Sequence, residues 1–205
     1  MKVSRSLFAL LAVAGLGGCE ASRAGAHAEV PVWTHHPAWS LEVVYSQPLL
    51  AESRKHGEPY ERGGAEIDVK GRRVFVGSSD AGLYALRAID GQVIWRFETA
   101  GAVQGEPLYD PRENVVYFGS NDGALYKVDA DRGLLKWRFM SNAEVARRPQ
   151  LVGDTLYAVN ANDTILALDP RTGERRWSQH RTPALGMEIA GHGSALVWRG
   201  KVYMV

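Results

Sequence analysis

A repeat of 40 to 42 residues constrains the fold of this chain more than any other feature of its sequence. Segments 73–97, 114–139 and 155–177 are three copies of one pattern, the second 42 positions after the first and the third 40 positions after the second. The positions that match between the first two copies are Gly77, Asp80, Leu83, Tyr84, Gly91, Trp95 and Phe97, which return as Gly119, Asp122, Leu125, Tyr126, Gly133, Trp137 and Phe139. A period of this length is typical of a chain built from similar units that stack on one another.

The content of each copy indicates β-strands. Residues 115–118 and 125–128 are rich in β-branched and aromatic side chains, and Asn121-Asp122-Gly123 between them suits a tight hairpin. After the first 18 residues no stretch has a sustained 3.6-residue period, so a helical repeat is excluded. The sequence therefore predicts an all-β fold, a β-propeller of four-stranded blades of about 42 residues each.

The strand pattern fills three blades and begins another. The predicted strands are 65–69, 73–77, 83–87 and 93–97; then 105–109, 115–119, 125–129 and 134–139; then 148–152, 155–159, 165–169 and 174–177; and finally 195–198 and 201–205. We expect the chain to cover about three and a half blades of a ring of seven or eight. Because open sheet edges favour aggregation, we interpret it as the N-terminal part of a longer protein; the alternative is a short protomer that closes by self-association.

The first 18 residues are predicted to be a secretion signal, since Lys2 and Arg5 precede a short apolar stretch. The stretch ends at Leu16-Gly17-Gly18-Cys19, which resembles the bacterial lipobox. That resemblance implies that Cys19, the single cysteine of the chain, is lipidated; an unpaired cysteine near a cleavage site is the alternative. Residues 19–38 are predicted to be a flexible tether and 39–205 a partial propeller. The expected location is the bacterial cell envelope, lipid-anchored, at the outer membrane and facing the periplasm.

Charge limits the classes of partner. Removing residues 1–18, which contain two cations, changes the formal net charge from +1 to −1. The two signs are interspersed along the chain, which predicts neither a basic field for nucleic acid nor a polybasic membrane patch. The adjacent pairs Arg147-Arg148 and Arg175-Arg176 are interpreted as solvated strand ends.

The sharpest motif of the repeat is A-x-D-x-x-x-G-x-x-x-W. The third copy has Ala167, Asp169, Gly173 and Trp177; the second has Lys127 in place of the alanine, with Asp129, Gly133 and Trp137; the first has Ala85, Gly91 and Trp95, with Arg87 in place of the aspartate. This pattern resembles the tryptophan-docking motif of the pyrroloquinoline-quinone (PQQ) β-propeller repeat superfamily, and the resemblance covers residues 63–205. It implies a structural docking role for these tryptophans, glycines and aspartates. A glycine permits the positive φ of a turn, and a tryptophan can be buried between blades while its N–H meets a backbone acceptor.

The superfamily contains enzymes and scaffolds, so three functions remain open. The chain is similar to BamB-like lipoproteins of outer-membrane β-barrel assembly in its lipobox, tether and repeats, which implies a non-catalytic scaffold with no cofactor or metal, whose partners are envelope proteins. The alternatives are a periplasmic PQQ-dependent alcohol or sugar dehydrogenase and the ligand-sensing ectodomain of a signalling protein. We expect binding at the rim loops 100–106, 141–147 and 179–192, which we predict to differ freely, and no polar ligands converging on the axis from successive blades.

Overall fold

The computed structural model describes residues 45–46, 49, 63–181 and 193–204 of the chain. The predicted signal segment 1–18, the predicted lipidation site Cys19 and the predicted tether 19–38 lie outside these residues. The described part contains fourteen β-strands and no helix that is long and apolar enough to cross a membrane.

The strands follow the repeat. They are β1 (Ala65–Asp68), β2 (Arg73–Ser78), β3 (Gly82–Arg87), β4 (Val93–Glu98), β5 (Leu108–Asp110), β6 (Val115–Gly119), β7 (Ala124–Asp129), β8 (Leu135–Met140), β9 (Gln150–Val152), β10 (Thr155–Asn160), β11 (Thr164–Leu168), β12 (Arg175–His180), β13 (Ala195–Trp198) and β14 (Lys201–Met204).

These strands form three antiparallel four-stranded sheets and one hairpin. Strands β1 to β4, β5 to β8 and β9 to β12 pair in sequence order, and β13 pairs with β14. We call the three sheets the first, second and third blade. The predicted four-stranded blades, three and a half in this chain, are confirmed.

The first strand of the second and third blades is shorter than predicted. The structure has Leu108–Asp110 in place of 105–109 and Gln150–Val152 in place of 148–152. Pro107 and Pro149 stand just before these strands. A proline has no N–H to donate to the ladder, so pairing begins only after it.

The second blade is buried on both faces. Val116 and Phe118 pack in one apolar core with Phe75 of the first blade. Val115 and Tyr117 pack in another core with residues of the third blade. Because successive side chains of a strand point to opposite faces, one short strand contributes to two cores, as stacked blades require.

The ends of the sheets form two rims. Turns within a blade after its first and third strands lie at one end, which we call the hairpin rim. The turn after the second strand and the connection to the next blade lie at the other end, the connector rim. The hairpin rim comprises residues 69–72, 88–92, 111–114, 130–134, 153–154, 169–174 and 199–200, and the connector rim comprises 79–81, 99–107, 120–123, 141–149 and 161–163.

Candidate interaction sites between blades and on the rims

The motif tryptophans of the first two blades reach into the blade that follows. The indole Nε1–H of Trp95, on β4, donates to the carbonyl oxygen of Ala130 at 3.0 Å. That of Trp137, on β8, donates to the carbonyl oxygen of Pro170 at 3.0 Å. Both acceptors lie in the turn after the third strand of the next blade. Trp177 is 40% exposed in the described structure.

The glycine that accommodates each tryptophan comes from the next blade, although sequence places the two residue types in one motif. A Cβ added to Gly133 would lie 2.7 Å from the Trp95 ring, and one added to Gly173 would lie 2.7 Å from the Trp137 ring. Both glycines also have positive φ, 65° and 77°. Gly91 has the same conformation, with φ 71°. At Gly133 and Gly173 the glycine is therefore required twice, for the turn and for the ring that packs on it.

The motif aspartates shape the turns that present the docking carbonyls. The Oδ1 of Asp129 accepts hydrogen bonds from the backbone N–H groups of Asp131 and Arg132, at 3.0 and 3.1 Å. Asp169 accepts from the N–H of Arg171 and of Thr172, at 2.8 and 3.3 Å. Each aspartate directly precedes the residue whose carbonyl receives the tryptophan, so these bonds orient the acceptor.

The first blade replaces this aspartate by Arg87 and compensates within the same turn. The Arg87 Nε donates to Asp90 Oδ1 at 2.8 Å, and the backbone N–H of Gln92 donates to the same oxygen at 3.2 Å. The Arg87 guanidinium lowers the pKa of the exposed Asp90 carboxyl.

A buried cation shares each docking carbonyl with the tryptophan. Arg73 Nη1 donates to Ala130 O at 2.7 Å. Lys127 Nζ donates to Pro170 O at 2.9 Å, and the Tyr117 hydroxyl donates to the same oxygen at 3.3 Å. The sequence marks Lys127 only as a departure from the motif and does not single out Arg73.

Arg73 is held by a polar network that joins the first two blades. Its guanidinium donates to Asp68 at 2.6 and 3.0 Å, to Asp131 at 2.6 Å and to Asn114 at 3.0 Å. The Asp68 side chain is only 3% exposed. Burial tends to raise the pKa of Asp68, but hydrogen bonds from the Gly71 N–H and from Arg73 hold it below its usual value. The signal was present in the sequence, since the predicted first hairpin pairs positions 68 and 73 directly.

Lys127 makes the corresponding contact between the second and third blades. Its side chain is 4% exposed and its Nζ lies 2.6 Å from Glu113 Oε2. The ammonium also lies 5.4 Å from the centre of the Tyr117 ring. Burial raises the pKa of that tyrosine. Each described blade interface thus contains an indole and a cation on one carbonyl.

Charged side chains from all three blades meet at the first strands. Arg148 Nη2 lies 3.1 Å from Glu66 Oε2, and Arg148 Nη1 forms an ion pair with Glu106. The first strands approach one another between blades, since β1 contacts β5 and β9 contacts β13, so this cluster faces the propeller axis. The prediction that no polar groups converge from successive blades is wrong here, as is that of a solvated Arg148. The 42-residue spacing of Glu106 and Arg148 was the available signal.

This axial cluster does not fit a quinone with Ca²⁺. Calcium requires several free oxygen ligands, and Arg148 already occupies both axial carboxylates. Among the described residues no group of three or more His, Cys, Asp or Glu could hold a metal ion.

The first two connections of the connector rim are alike, contrary to our expectation. Val103 and Val145 are fully buried, and their N–H groups donate to the carbonyls of Ser78 and Ser120, both at 3.0 Å. Val103 packs on Gly77, and Val145 packs in the same way on the corresponding glycine of the second blade. The prediction that these loops differ freely is therefore wrong for 100–106 and 141–147. The third loop, 179–192, lies largely outside the described residues.

A cleft of about 360 Å³ opens at the hairpin rim between the second and third blades. Its lining residues are Arg112, Glu113, Gly153, Asp154, Asp169, Pro170, Arg171 and Arg176. Arg176, which sequence placed at a solvated strand end, pairs with Asp154 and Asp169, both at 3.1 Å. Its guanidinium lowers the pKa of the Asp169 carboxyl. The cleft is therefore polar and nearly balanced in charge.

The sequence model of the family described as outer membrane protein assembly factor BamB matches residues 30–205. The chain belongs to this family. BamB from Moraxella catarrhalis is 23% identical with a TM-score of 0.57, over 70% of this chain and 42% of that protein. Quinohemoprotein alcohol dehydrogenase from Comamonas testosteroni is 18% identical with a TM-score of 0.53, over 69% of this chain and 31% of that enzyme. The chain thus spans less than half of either solved protein, and at these identities the likeness shows the fold alone. No curated protein matches the chain.

Proposed function

We propose that this chain is part of a lipid-anchored, non-catalytic scaffold that binds other envelope proteins during assembly of outer-membrane β-barrel proteins. The observation that carries this proposal is the match of the BamB family model over residues 30–205. The partner surface belongs to the rims, since loops on a rigid scaffold are where binding residues concentrate.

The axis supports a scaffold over a quinone enzyme. A cofactor on the axis needs polar groups that are free to bind it. Glu66 and Glu106 are instead neutralised by Arg148 from the next blade along. The cluster therefore joins blades rather than presenting ligands.

A PQQ-dependent dehydrogenase is the second candidate, because the solved quinohemoprotein has the same fold. Two measurements on the full-length protein separate the candidates. Crosslinking in intact cells followed by purification should recover a component of the barrel-assembly machinery. Purified protein supplied with PQQ and Ca²⁺ should not reduce a redox dye in the presence of alcohols or aldose sugars. Dye reduction that depends on added PQQ, with no assembly component recovered, would overturn the scaffold proposal.

The anchor is tested by Cys19→Ala. We expect the variant to lose metabolic labelling with palmitate and to move from the membrane fraction to the soluble fraction, because several acyl chains are needed for stable attachment and this cysteine would carry them. Wild-type protein is the positive control. Labelling that persists in the variant would show that acylation lies elsewhere.

A further inference from the structure

Charges that alternate along the sequence separate in the fold. Among the described residues of the hairpin rim and adjoining strand ends, every carboxylate except Glu174 is in an ion pair with a cation of the same rim. Several cations remain exposed without such a partner in the described structure: Lys70, Arg72, Arg132, Arg171, Arg175 and Arg199. The hairpin rim therefore has an excess of positive charge that the net charge of the chain conceals.

Two of these arginines occupy strained backbone positions. Arg72 and Arg199 have φ of 53° and 49°, in the left-handed region. The equivalent turn of the second blade has Asn114, with φ 53°, which adopts this region more readily. Strain of this kind is concentrated at functional positions. An exposed arginine where asparagine fits with less strain indicates that the guanidinium itself has a role.

Apolar side chains protrude beside these cations. Val69, Ile89 and Leu134 lie in or at the ends of hairpin-rim turns and are 81, 70 and 56% exposed. They stand singly, on turns of two different blades. A protein partner is more often met by a central cluster of packed anchors. Isolated apolar tips among spread cations suit a broad anionic surface into which single side chains can insert.

We propose that the hairpin rim binds the anionic phospholipid surface of a membrane, with Arg72 and Arg199 contacting phosphate groups. Guanidinium groups suit this contact because they bind phosphate oxygens with two parallel hydrogen bonds. Such binding would orient the propeller with its connector rim away from the membrane. It is independent of acylation at Cys19 and of the identity of any protein partner.

The test uses the full-length protein carrying Cys19→Ala, so that no acyl chain contributes, and flotation with vesicles of phosphatidylcholine alone or mixed with phosphatidylglycerol. Binding should require phosphatidylglycerol and weaken when the salt concentration is raised from about 50 to about 500 mM. Arg72→Asn and Arg199→Asn should each reduce partitioning about 5-fold, and together roughly 25-fold. Neither should lower the thermal midpoint, since asparagine relieves the backbone strain, so lost binding cannot come from unfolding.

Arg181→Asn is the charge-matched control. Arg181 lies just after β12 at the opposite end of the sheet, where it pairs with Asp163. Removing this cation should leave vesicle binding unchanged. The proposal is overturned by equal flotation with both vesicle types, by undiminished binding of the double variant or by an equal loss with Arg181→Asn. Loss of a co-purified acidic protein in the double variant, without any vesicle binding, would assign the rim to a protein instead.

Discussion

Gly133→Ala should lower the free energy of unfolding by about 2–5 kcal/mol, because the added methyl group meets both the backbone and the docked indole. A left-handed backbone disfavours a Cβ by about 1–2 kcal/mol. The new Cβ would also lie 2.7 Å from the Trp95 ring, and overpacking of this kind costs about 1–3 kcal/mol more. Denaturant unfolding of the full-length protein measures the sum.

Gly153→Ala is the matched control, since it changes the same kind of backbone without a neighbour. Gly153 has φ 61°, close to the 65° of Gly133, and a Cβ there meets no atom within 4 Å. It should cost only about 1–2 kcal/mol, the backbone share. The difference between the two variants isolates the contact of glycine with tryptophan. Equal losses in the two variants would contradict the proposal that this contact holds the blades together.

Arg73→Ala should destabilise the protein by about 3–5 kcal/mol, because it leaves the carboxylate of Asp68 buried without its cation. The guanidinium also donates to Ala130 O, so the variant loses a contact between blades as well. Arg87→Ala is the control. Arg87 forms an ion pair with Asp90 on the surface, where its side chain is 48% exposed, and such pairs contribute at most about 1 kcal/mol.

The pH dependence of the Arg73→Ala effect gives a second measurement. In the wild type the pKa of Asp68 is held below its usual value, so the stabilising pair is present at neutral pH and is lost as the pH falls through that lowered pKa. Without Arg73, burial alone raises the pKa of Asp68, and the carboxyl becomes neutral at a higher pH. The deficit of the variant should therefore shrink as the pH is lowered from 7 towards 4. A deficit that stays constant over this range would show that Asp68 is not its source.

Much of the fold could be predicted from the sequence because its signals are local. Turn residues such as Asn121-Asp122-Gly123 and the apolar runs beside them determine where strands start and stop, and the 42-residue offset repeats that pattern. The errors at the first strands also have a local cause, since Pro107 and Pro149 were not weighed as ladder breakers. The buried positions of Val103 and Val145 were visible as another 42-residue match.

By itself, then, the sequence determined the blade, its strand order and the kinds of residue that recur in it. The tertiary structure alone decided which copies of those residues meet. Gly133 contacts Trp95 of the preceding blade, and its motif partner Trp137 docks on the blade that follows. The charge excess of the hairpin rim is equally invisible in the chain order. The physical reason is that a repeat encodes contacts within one unit, whereas pairing across blades and between rim charges depends on how the units are stacked and which ends they bring together.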